Sequence, residues 1–397
     1  MRVVCLGGGP AGLYFAILTK LRDPDSEVLV VERNPRGVTH GFGVVFWDDL
    51  LNGLQQSDPK SAELVKAKAL QWWAQEVHVA GRAPAQVGGY GFAIGRHDLL
   101  AILTKRAIEL GVRIQFEQTA TDLAEWSDAD LIVASDGANS QVRTQLAEQF
   151  TPQIAAGRNY YIWLGTTKPF DAFTFAFEKT PAGWVWLHGY RYNDHTSTCI
   201  VECTSSTWHG LELDRLPLDE GIAVVQKIFV GQLDGHDLIS GLGGGTAARW
   251  QNFQRVTNQN WFHQNVVLLG DAAHTTHFSI GSGTRLAMED SISLDRALRQ
   301  HELPTALRHY QAERKAATEL RQAAADSSAK WLENIDDHDE YMESDPVRFA
   351  YSLRTRRDGS PSGLSWLLHR ATQHPLGRAA RRSVSAAKRK ALARAAR

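Results

Sequence analysis

Apolar and polar residues follow three regimes along the chain, and each regime predicts a kind of element. Short apolar runs at 3–6, 28–31, 131–134 and 266–269 are bounded by Gly, Asp or Asn and read as buried strands of a parallel sheet. Helical periodicity marks 13–21, 48–54, 95–111, 218–233, 284–299 and a stretch from 304 to beyond 320. In 95–111 the apolar stripe is Leu99, Leu100, Leu103, Ala107 and Leu110, and Gly111 ends it; Asp48 is the expected cap of the helix it opens. Between 160 and 203 the period becomes two: Trp163, Phe170, Phe173, Phe175, Phe177, Trp184, Trp186, Tyr190 and Tyr192 fall in short alternating runs separated by turn residues. That pattern predicts an antiparallel sheet in a second domain, to which looser alternation in 76–95 adds short strands. Beyond 330 the chain is helical and polar.

The first strand–helix–strand stretch carries the clearest chemistry. Gly7, Gly9 and Gly12 stand at G-x-G-x-x-G spacing directly after a strand and at a helix start, and Glu32 closes the second strand 20 residues later. The first glycine permits the tight turn, the second lets a pyrophosphate approach bare backbone, and the third allows helix and strand to pack closely. The acid stands where a ribose hydroxyl pair is held. Two later strands end in related turns, Asp136-Gly137 with Ser140 and Arg143, and Gly270-Asp271 before a Gly-rich helix start. Gly37, Gly41 and Gly43 mark backbone that passes close to something flat or bulky.

Composition adds limits. The 397 residues, 43% apolar and 22% charged, are those of an ordinary globule, and no run approaches the ~18 apolar residues of a membrane span. Arg2 before an apolar stretch superficially imitates a secretion signal, but the nucleotide fingerprint occupies it, so a cytoplasmic location is expected. Cys5, Cys199 and Cys203 are odd in number and lack metal-ligand spacing, which also fits a reducing compartment. No metal is expected; the acidic run 336–340 reads as a solvated helix connection. The net charge of −1 hides an asymmetry: residues 374–397 hold eight basic groups and no acid, leaving 35 basic against 44 acidic residues elsewhere. That tail reads as a solvated terminal helix or as a contact for phosphates; nucleic acid is not the expected partner.

Gly fingerprint with acid, Asp-Gly turn and Gly-Asp turn together resemble the single-component aromatic-ring flavoprotein monooxygenases. The resemblance implies an α/β fold: a Rossmann-like FAD-binding domain of p-hydroxybenzoate hydroxylase type, an inserted, mainly antiparallel β-sheet substrate domain and a helical C-terminus. The expected boundaries are 1–75, 95–158 and 258–330 for FAD binding, 76–94 and 159–257 for the sheet domain, and 331–397 for the helical region with its basic tail. It further implies that Gly7, Gly9, Gly12, Glu32, Arg33, Arg96, Asp136, Gly137, Gly270, Asp271, Gly281 and Gly283 bind FAD, Arg96 lying near the pyrophosphate. The stretches 161–175, 196–203 and 277–283 look like the salicylyl-CoA 5-hydroxylase group, with the FAD domain of 2-aminobenzoyl-CoA monooxygenase and the tryptophan hydroxylase of violacein synthesis also similar. The resemblance covers about residues 1–355. His277-Phe278 replaces the Pro-Pro of many class members, which supports the subgroup, and Phe42 stands where the subgroup often has Trp.

From this follow FAD, NADH or NADPH as electron donor, O₂ as co-substrate, and transfer of one oxygen atom through a C4a-hydroperoxyflavin to an electron-rich ring. An aromatic-lined sheet would orient the ring and exclude water. Trp163, Trp186, Tyr190 and Phe278 are the candidate substrate contacts. His277, His40 and His188 are the candidate catalytic groups, because histidine titrates near neutrality; His274 reads as part of the flavin loop. An aromatic acyl-CoA of salicyloyl or 2-aminobenzoyl type is the expected substrate, with an indole or tryptophan-derived ring as the alternative. A flavin oxidase or reductase without oxygen insertion, and a flavin-binding interaction protein without activity, remain distinct readings that ¹⁸O₂ labelling and nicotinamide-linked reduction separate.

Overall fold

The structure is a computed structural model that describes residues 1–120, 122–241, 248–357 and 363–373; the basic stretch 374–397 lies outside them. The chain divides into two compact units: Met1–Leu70, Phe92–Arg158 and Gly241–Asp326 form one, and Gln71–Gly91, Asn159–Ser240 and Ser327–Arg397 the other. No described helix is long and apolar enough to cross a membrane.

The first unit is built on a six-stranded sheet in the order Phe262–His263, Val266–Leu268, Leu131–Ala134, Arg2–Leu6, Glu27–Val31, Arg113–Gln115. Arg2–Leu6 lies near its centre, parallel to both neighbours, with Val3 opposite Val28 on one side and Leu131 on the other. Val3, Val4 and Cys5 are wholly inaccessible, as a strand covered on both faces requires, and burial pushes the Cys5 thiol up to about 12. Helices Pro10–Arg22 and Gly283–Gln300 pack on each other, tied where the Ser291 hydroxyl donates to the Ala11 carbonyl at 2.8 Å. The helix predicted from Asp48 runs over Asp48–Ser57, but Trp47 is its cap; Asp48 and Asp49 instead place negative charge in its first turn. The helix predicted over 95–111 spans Arg96–Glu109, with Leu99, Leu103 and Ala107 buried.

The second unit carries an antiparallel sheet. From Leu238–Ile239 it passes through Pro152–Thr166, Ser197–Cys203, Gly183–Arg191 and Phe173–Thr180 to Gln75–Val79 and Ala85–Gln86, the pair Phe173–Thr180 and Gln75–Val79 being parallel. Side chains directly opposite across a ladder share a face. Tyr161, Glu202, Trp186, Phe177 and Val79 therefore form one row, and Trp163, Ile200, His188, Phe175 and Val77 the next. Cys199 and Cys203 are buried free thiols on the central strand. The helix expected over 218–233 is two pieces, Leu218–Ile228 and Val230–Leu233, broken at Phe229.

Two expected boundaries move. Gln251–Asn258 belongs to the first unit, because its backbone is tied to the loop after Gly270: Val256 N–H donates to Thr275 Oγ1 at 2.7 Å and Asn258 Nδ2 to the Ala273 carbonyl at 2.5 Å. The segment from Ser327 belongs to the second unit. Leu332, Ile335, Met342, Phe349, Ala350 and Leu353 complete a core with Val77, Phe177, Trp184 and Trp186, and Trp184 Nε1 donates to Asp339 at 2.9 Å. The acidic run thus holds one side chain, Asp339, that serves the sheet.

Candidate functional site

The glycine fingerprint separates into positions closed by protein and one left open. A Cβ on Gly7 would stand 2.3 Å from the Ser135 carbonyl, and Gly7 also has φ +112°. On Gly12 it would stand 2.2 Å from the Gly7 carbonyl and 2.4 Å from Ser135 Oγ. Around a Cβ on Gly9, no atom of the described residues lies within 4 Å. Gly9 is the N-cap of Pro10–Arg22, so bare backbone and a helix N-terminus face open space, as a pyrophosphate needs. Gly283 repeats this at the start of Gly283–Gln300, where a Cβ again meets none of the described residues within 4 Å.

Glu32 is held by donors: Oε2 accepts from the Gly8 N–H at 2.7 Å, and Oε1 from Asn34 N–H and Nδ2 at 2.8 and 2.7 Å. Its carboxylate is thereby fixed at the mouth of the turn. Arg96 opens its helix, and its Nε donates to Thr39 Oγ1 at 3.1 Å. Burial lowers the Arg96 pKa, while Asp271 and Glu32 both raise it, so the structure brings these three charges to one place. Asp271 is exposed, yet the protein around it raises its carboxyl above the usual range against the pull of His274 and Arg96. A carboxylate that is open to solvent but largely surrounded lines a recess. Arg33 is exposed beside Glu32.

Asp136 closes its own turn, Oδ2 accepting from the N–H groups of Gln141 and Val142 at 2.7 and 3.3 Å. Its Oδ1 is buried with no hydrogen-bond partner among the described residues, and Gly137 beside it has φ +85°. Arg143, buried, donates from Nη1 to the Ala272 carbonyl at 3.0 Å and from Nη2 to the Ala138 carbonyl. It clamps the Asp136 turn to the Asp271 loop. That loop is held again from behind. Asp290 Oδ2 accepts from the Gly270 N–H at 3.0 Å and faces His274 Nε2 at 2.7 Å, while Oδ1 accepts from Arg314 Nε at 2.7 Å. Burial alone would raise the Asp290 carboxyl; His274 and Arg314 hold it below the usual range. Gly281, φ +64°, ends the turn Phe278–Ile280, and a Cβ there would meet Val45 at 2.6 Å.

The candidate histidines separate. His277 is nearly buried, edge-on to Phe253 with ring centroids 4.9 Å apart and against half-buried Phe278. Its Nδ1 accepts from the Ser279 N–H at 3.3 Å, which assigns the proton of the neutral ring to Nε2 and makes that atom a donor. His40 is half-buried and held below its ordinary value by burial, Arg96 and Arg33. His188 belongs to the second unit, buried at 3.8 Å from Glu202, with burial holding it low against Glu202.

Among the substrate candidates, Trp163 is half-buried on the aromatic face, and its Nε1 is inaccessible and without an acceptor among the described residues. Tyr190 is nearly buried and stacked on Phe173, centroids 5.2 Å apart. Trp186 corrects the expectation: it has no accessible surface, lies in the core and donates from Nε1 to Glu202 at 3.0 Å, so it supports the sheet from within. Sequence reasoning missed Glu202, which also accepts from Asn159 Nδ2 at 2.8 Å, and Asp290 with Arg314. Their signal was available: Glu202 interrupts an apolar strand, and Asp290 falls between Ala287 and Leu294 on an apolar helix stripe.

Parallel sheet, open helix N-termini and a clamped acid define a dinucleotide-binding protein, and the donors and recesses fit FAD. The FAD binding domain family matches residues 242–324, and the lycopene cyclase protein family matches 2–161. Salicyloyl-CoA 5-hydroxylase of a Streptomyces species is 39% identical over 90% of this chain and 70% of its own. The 3-hydroxy-4-methyl-anthranilyl-[aryl-carrier protein] 5-monooxygenase of Streptosporangium sibiricum is 35% identical over 85% and 90%, and protodeoxyviolaceinate monooxygenase of Chromobacterium violaceum 30% over 91% and 96%. The fold is shared with 2-methyl-3-hydroxypyridine-5-carboxylic acid oxygenase, TM-score 0.66 at 20% identity over 84% of this chain and 91% of that one. It is shared too with Pseudomonas aeruginosa PqsL, TM-score 0.68 at 18% identity over 90% and 99%. The chain belongs to the FAD-dependent aromatic monooxygenases of the p-hydroxybenzoate hydroxylase-like fold.

Proposed function

We propose that the chain hydroxylates an aromatic ring carried as an acyl thioester, of the salicyloyl- or 2-aminobenzoyl-CoA type. FAD supplies the oxygen chemistry: NAD(P)H gives two electrons, one atom of O₂ enters the ring and the other leaves as water. Gly7, Gly9, Gly12, Glu32, Arg33 and Arg96, with the Asp136-Gly137 and Gly270-Asp271 turns, Gly281 and Gly283, bind and orient the cofactor. Trp163, Tyr190 and Phe278 wall the substrate. His277 donates from Nε2 to an oxygen of the substrate, while His188 and His40, neutral at pH 7, position the side chains around them.

The observation that carries the thioester reading is the Trp163 indole N–H, buried on the aromatic face with no acceptor among the described residues. A buried donor left unsatisfied costs roughly 1–3 kcal/mol, and a carbonyl oxygen on the substrate would remove that cost. An aroyl thioester brings such an oxygen next to its ring. A bare indole brings a second donor instead. The two relatives above 30% identity are also named for acyl groups on CoA or a carrier protein.

The test is NAD(P)H oxidation by the FAD-loaded protein with aroyl-CoAs, the free acids and indoles, followed by ¹⁸O₂ labelling. Stimulation by salicyloyl- or 2-aminobenzoyl-CoA but not by the acids, with one labelled oxygen in the product, is the expected result. Stimulation by indoles alone would replace the thioester by the indole reading that protodeoxyviolaceinate monooxygenase suggests. Stimulation without label in the product would make the protein an oxidase.

A further inference from the structure

The second unit contains a cavity of about 230 Å³ whose wall includes Phe175, Gln75, Gly89 and three arginines, Arg354, Arg356 and Arg357. It is smaller than the ~300–1,000 Å³ of a site that encloses a whole ligand. Such a space admits one small group. The arginines decide which kind.

Arg354 is exposed at the end of helix Pro346–Thr355, and cations near a helix C-terminus are ordinary. Arg356 is not ordinary. Only 8% of it is exposed, its Nε donates to Ser328 Oγ at 2.8 Å, an Nη donates to the Leu353 carbonyl, and its guanidinium lies 5.5 Å from the Phe175 ring centroid. It is therefore held rigidly in the wall. Burial and the neighbouring Arg357 both act against its charge, and Glu202 acts for it. Like charges gathered on a concave, partly desolvated wall are a destabilising arrangement that a bound oxyanion relieves. Guanidinium donors match phosphate geometry.

The position fixes how far this oxyanion stands from the ring. Trp163, Ile200, His188 and Phe175 are consecutive across the sheet, and Gln75 lies one strand further. Three to four strand spacings of ~4.8 Å separate Trp163 from the cavity, roughly 14–19 Å. A pantetheine arm has roughly 13 bonds between sulfur and phosphorus; at the ~3.4 Å per three backbone bonds of an extended chain it spans about 15 Å. We infer that the arginine-lined cavity seats the phosphate of the phosphopantetheine arm that carries the aroyl group. This rests on the thioester reading, and it accommodates CoA and a carrier-protein arm alike, since both have that phosphate.

Two readouts test it. In turnover, aroyl-CoA, aroyl-phosphopantetheine and aroyl-pantetheine are compared in wild type and in the double variant Arg354→Gln/Arg357→Gln, with Arg356→Lys alongside. Wild type should show a KM for the two phosphorylated thioesters at least tenfold below that for aroyl-pantetheine, and the double variant should bring the ratio to about one. Equal KM for aroyl-CoA and aroyl-phosphopantetheine assigns the effect to the arm phosphate; a lower KM for aroyl-CoA alone places the recognised phosphate on the nucleotide and overturns the proposal. In calorimetry without turnover, pantetheine 4′-phosphate should bind wild type, and bind at least tenfold more weakly to the double variant. Circular dichroism and FAD content verify the fold of each variant. A phosphate preference that survives in the double variant overturns the cavity assignment while leaving the thioester reading intact. Failure of all thioesters in turnover removes the thioester reading, and absence of pantetheine 4′-phosphate binding to wild type removes the cavity assignment by itself.

Discussion

Replacing the three fingerprint glycines singly by alanine separates what the fold needs from what the cofactor needs. Gly12→Ala puts a methyl group 2.2 Å from the Gly7 carbonyl and 2.4 Å from Ser135 Oγ, and backbone cannot retreat without opening the strand–helix turn. Gly7→Ala meets the Ser135 carbonyl at 2.3 Å and must also hold φ +112°. Each should cost about 3 kcal/mol or more, the upper range for overpacking. Gly9→Ala is different. Its φ of −74° and ψ of 179° suit alanine, and no atom of the described residues lies within 4 Å of the added carbon. The expected loss is that of exchanging glycine for alanine at an N-cap, up to ~1 kcal/mol. The methyl would nevertheless occupy the approach of the pyrophosphate, so FAD affinity should fall at least tenfold. Urea unfolding of the apoproteins and titration by flavin fluorescence quenching measure the two quantities independently. Wild-type FAD affinity in Gly9→Ala, or wild-type stability in Gly12→Ala, would refute the division.

Other substitutions probe the supports. Asp290→Ala removes the acceptor shared by Gly270, His274 and Arg314 and strands a buried guanidinium, so the apoprotein should lose about 3–5 kcal/mol in urea unfolding. His277→Ala should lower kcat/KM at least tenfold with the thioester substrate, and His277→Gln, which keeps an N–H at nearly the same reach, should recover part of it; equal activity of both variants and wild type would remove His277 from the site. His188 and His40 are held below their ordinary value of 6.5, so the folded state binds fewer protons than the unfolded one just below that pH. Their contribution is complete above pH 6.5 and is lost as pH falls toward their folded values, and His188→Gln should flatten the stability–pH curve in that window. Trp163→Phe should raise KM for aroyl thioesters several-fold, whereas Trp186→Phe, which frees Glu202 of a donor, should register in stability.

The nucleotide-binding half was legible because its signals are local: Gly7 to Glu32 is one strand–turn–helix–strand unit, and every demand on it comes from neighbours within that unit or from one adjacent strand. The sheet's aromatic alternation was legible for the same reason, since period two survives without knowledge of partners. What alternation does not tell is which aromatic residue the rest of the unit covers. Trp163 and Trp186 stand on the same face with the same spacing, and only the packing of Leu332, Phe349 and their neighbours puts Trp186 in the core. The assignment of 331–357 was hidden likewise, because a polar helix carrying Leu332, Met342, Phe349 and Leu353 shows its apolar stripe only against the sheet that receives it. Gln251–Asn258 has the sequence of a sheet strand and is one; its ties to the Asp271 loop are side chain to backbone and leave no periodic trace.

The acids around the FAD cradle illustrate why pairing, and not residue type, sets their roles. Glu32 receives three N–H donors, so its charge is stabilised by its own turn and is available to hold two hydroxyl groups in fixed directions. Asp290 is stabilised by His274 and Arg314 and spends its oxygens on protein, which makes the Asp271 loop rigid. Asp271 itself depends on His274 and Arg96 for its charge and is displaced upward in spite of them. Arg96 feels both Glu32 and Asp271. An anionic cofactor placed among two carboxylates would meet repulsion from each, and the single guanidinium shared between them is what makes the recess acceptable to a pyrophosphate. The same logic, inverted, applies at the other unit's cavity: there the arginines outnumber Glu202, and the missing negative charge is the substrate's to bring.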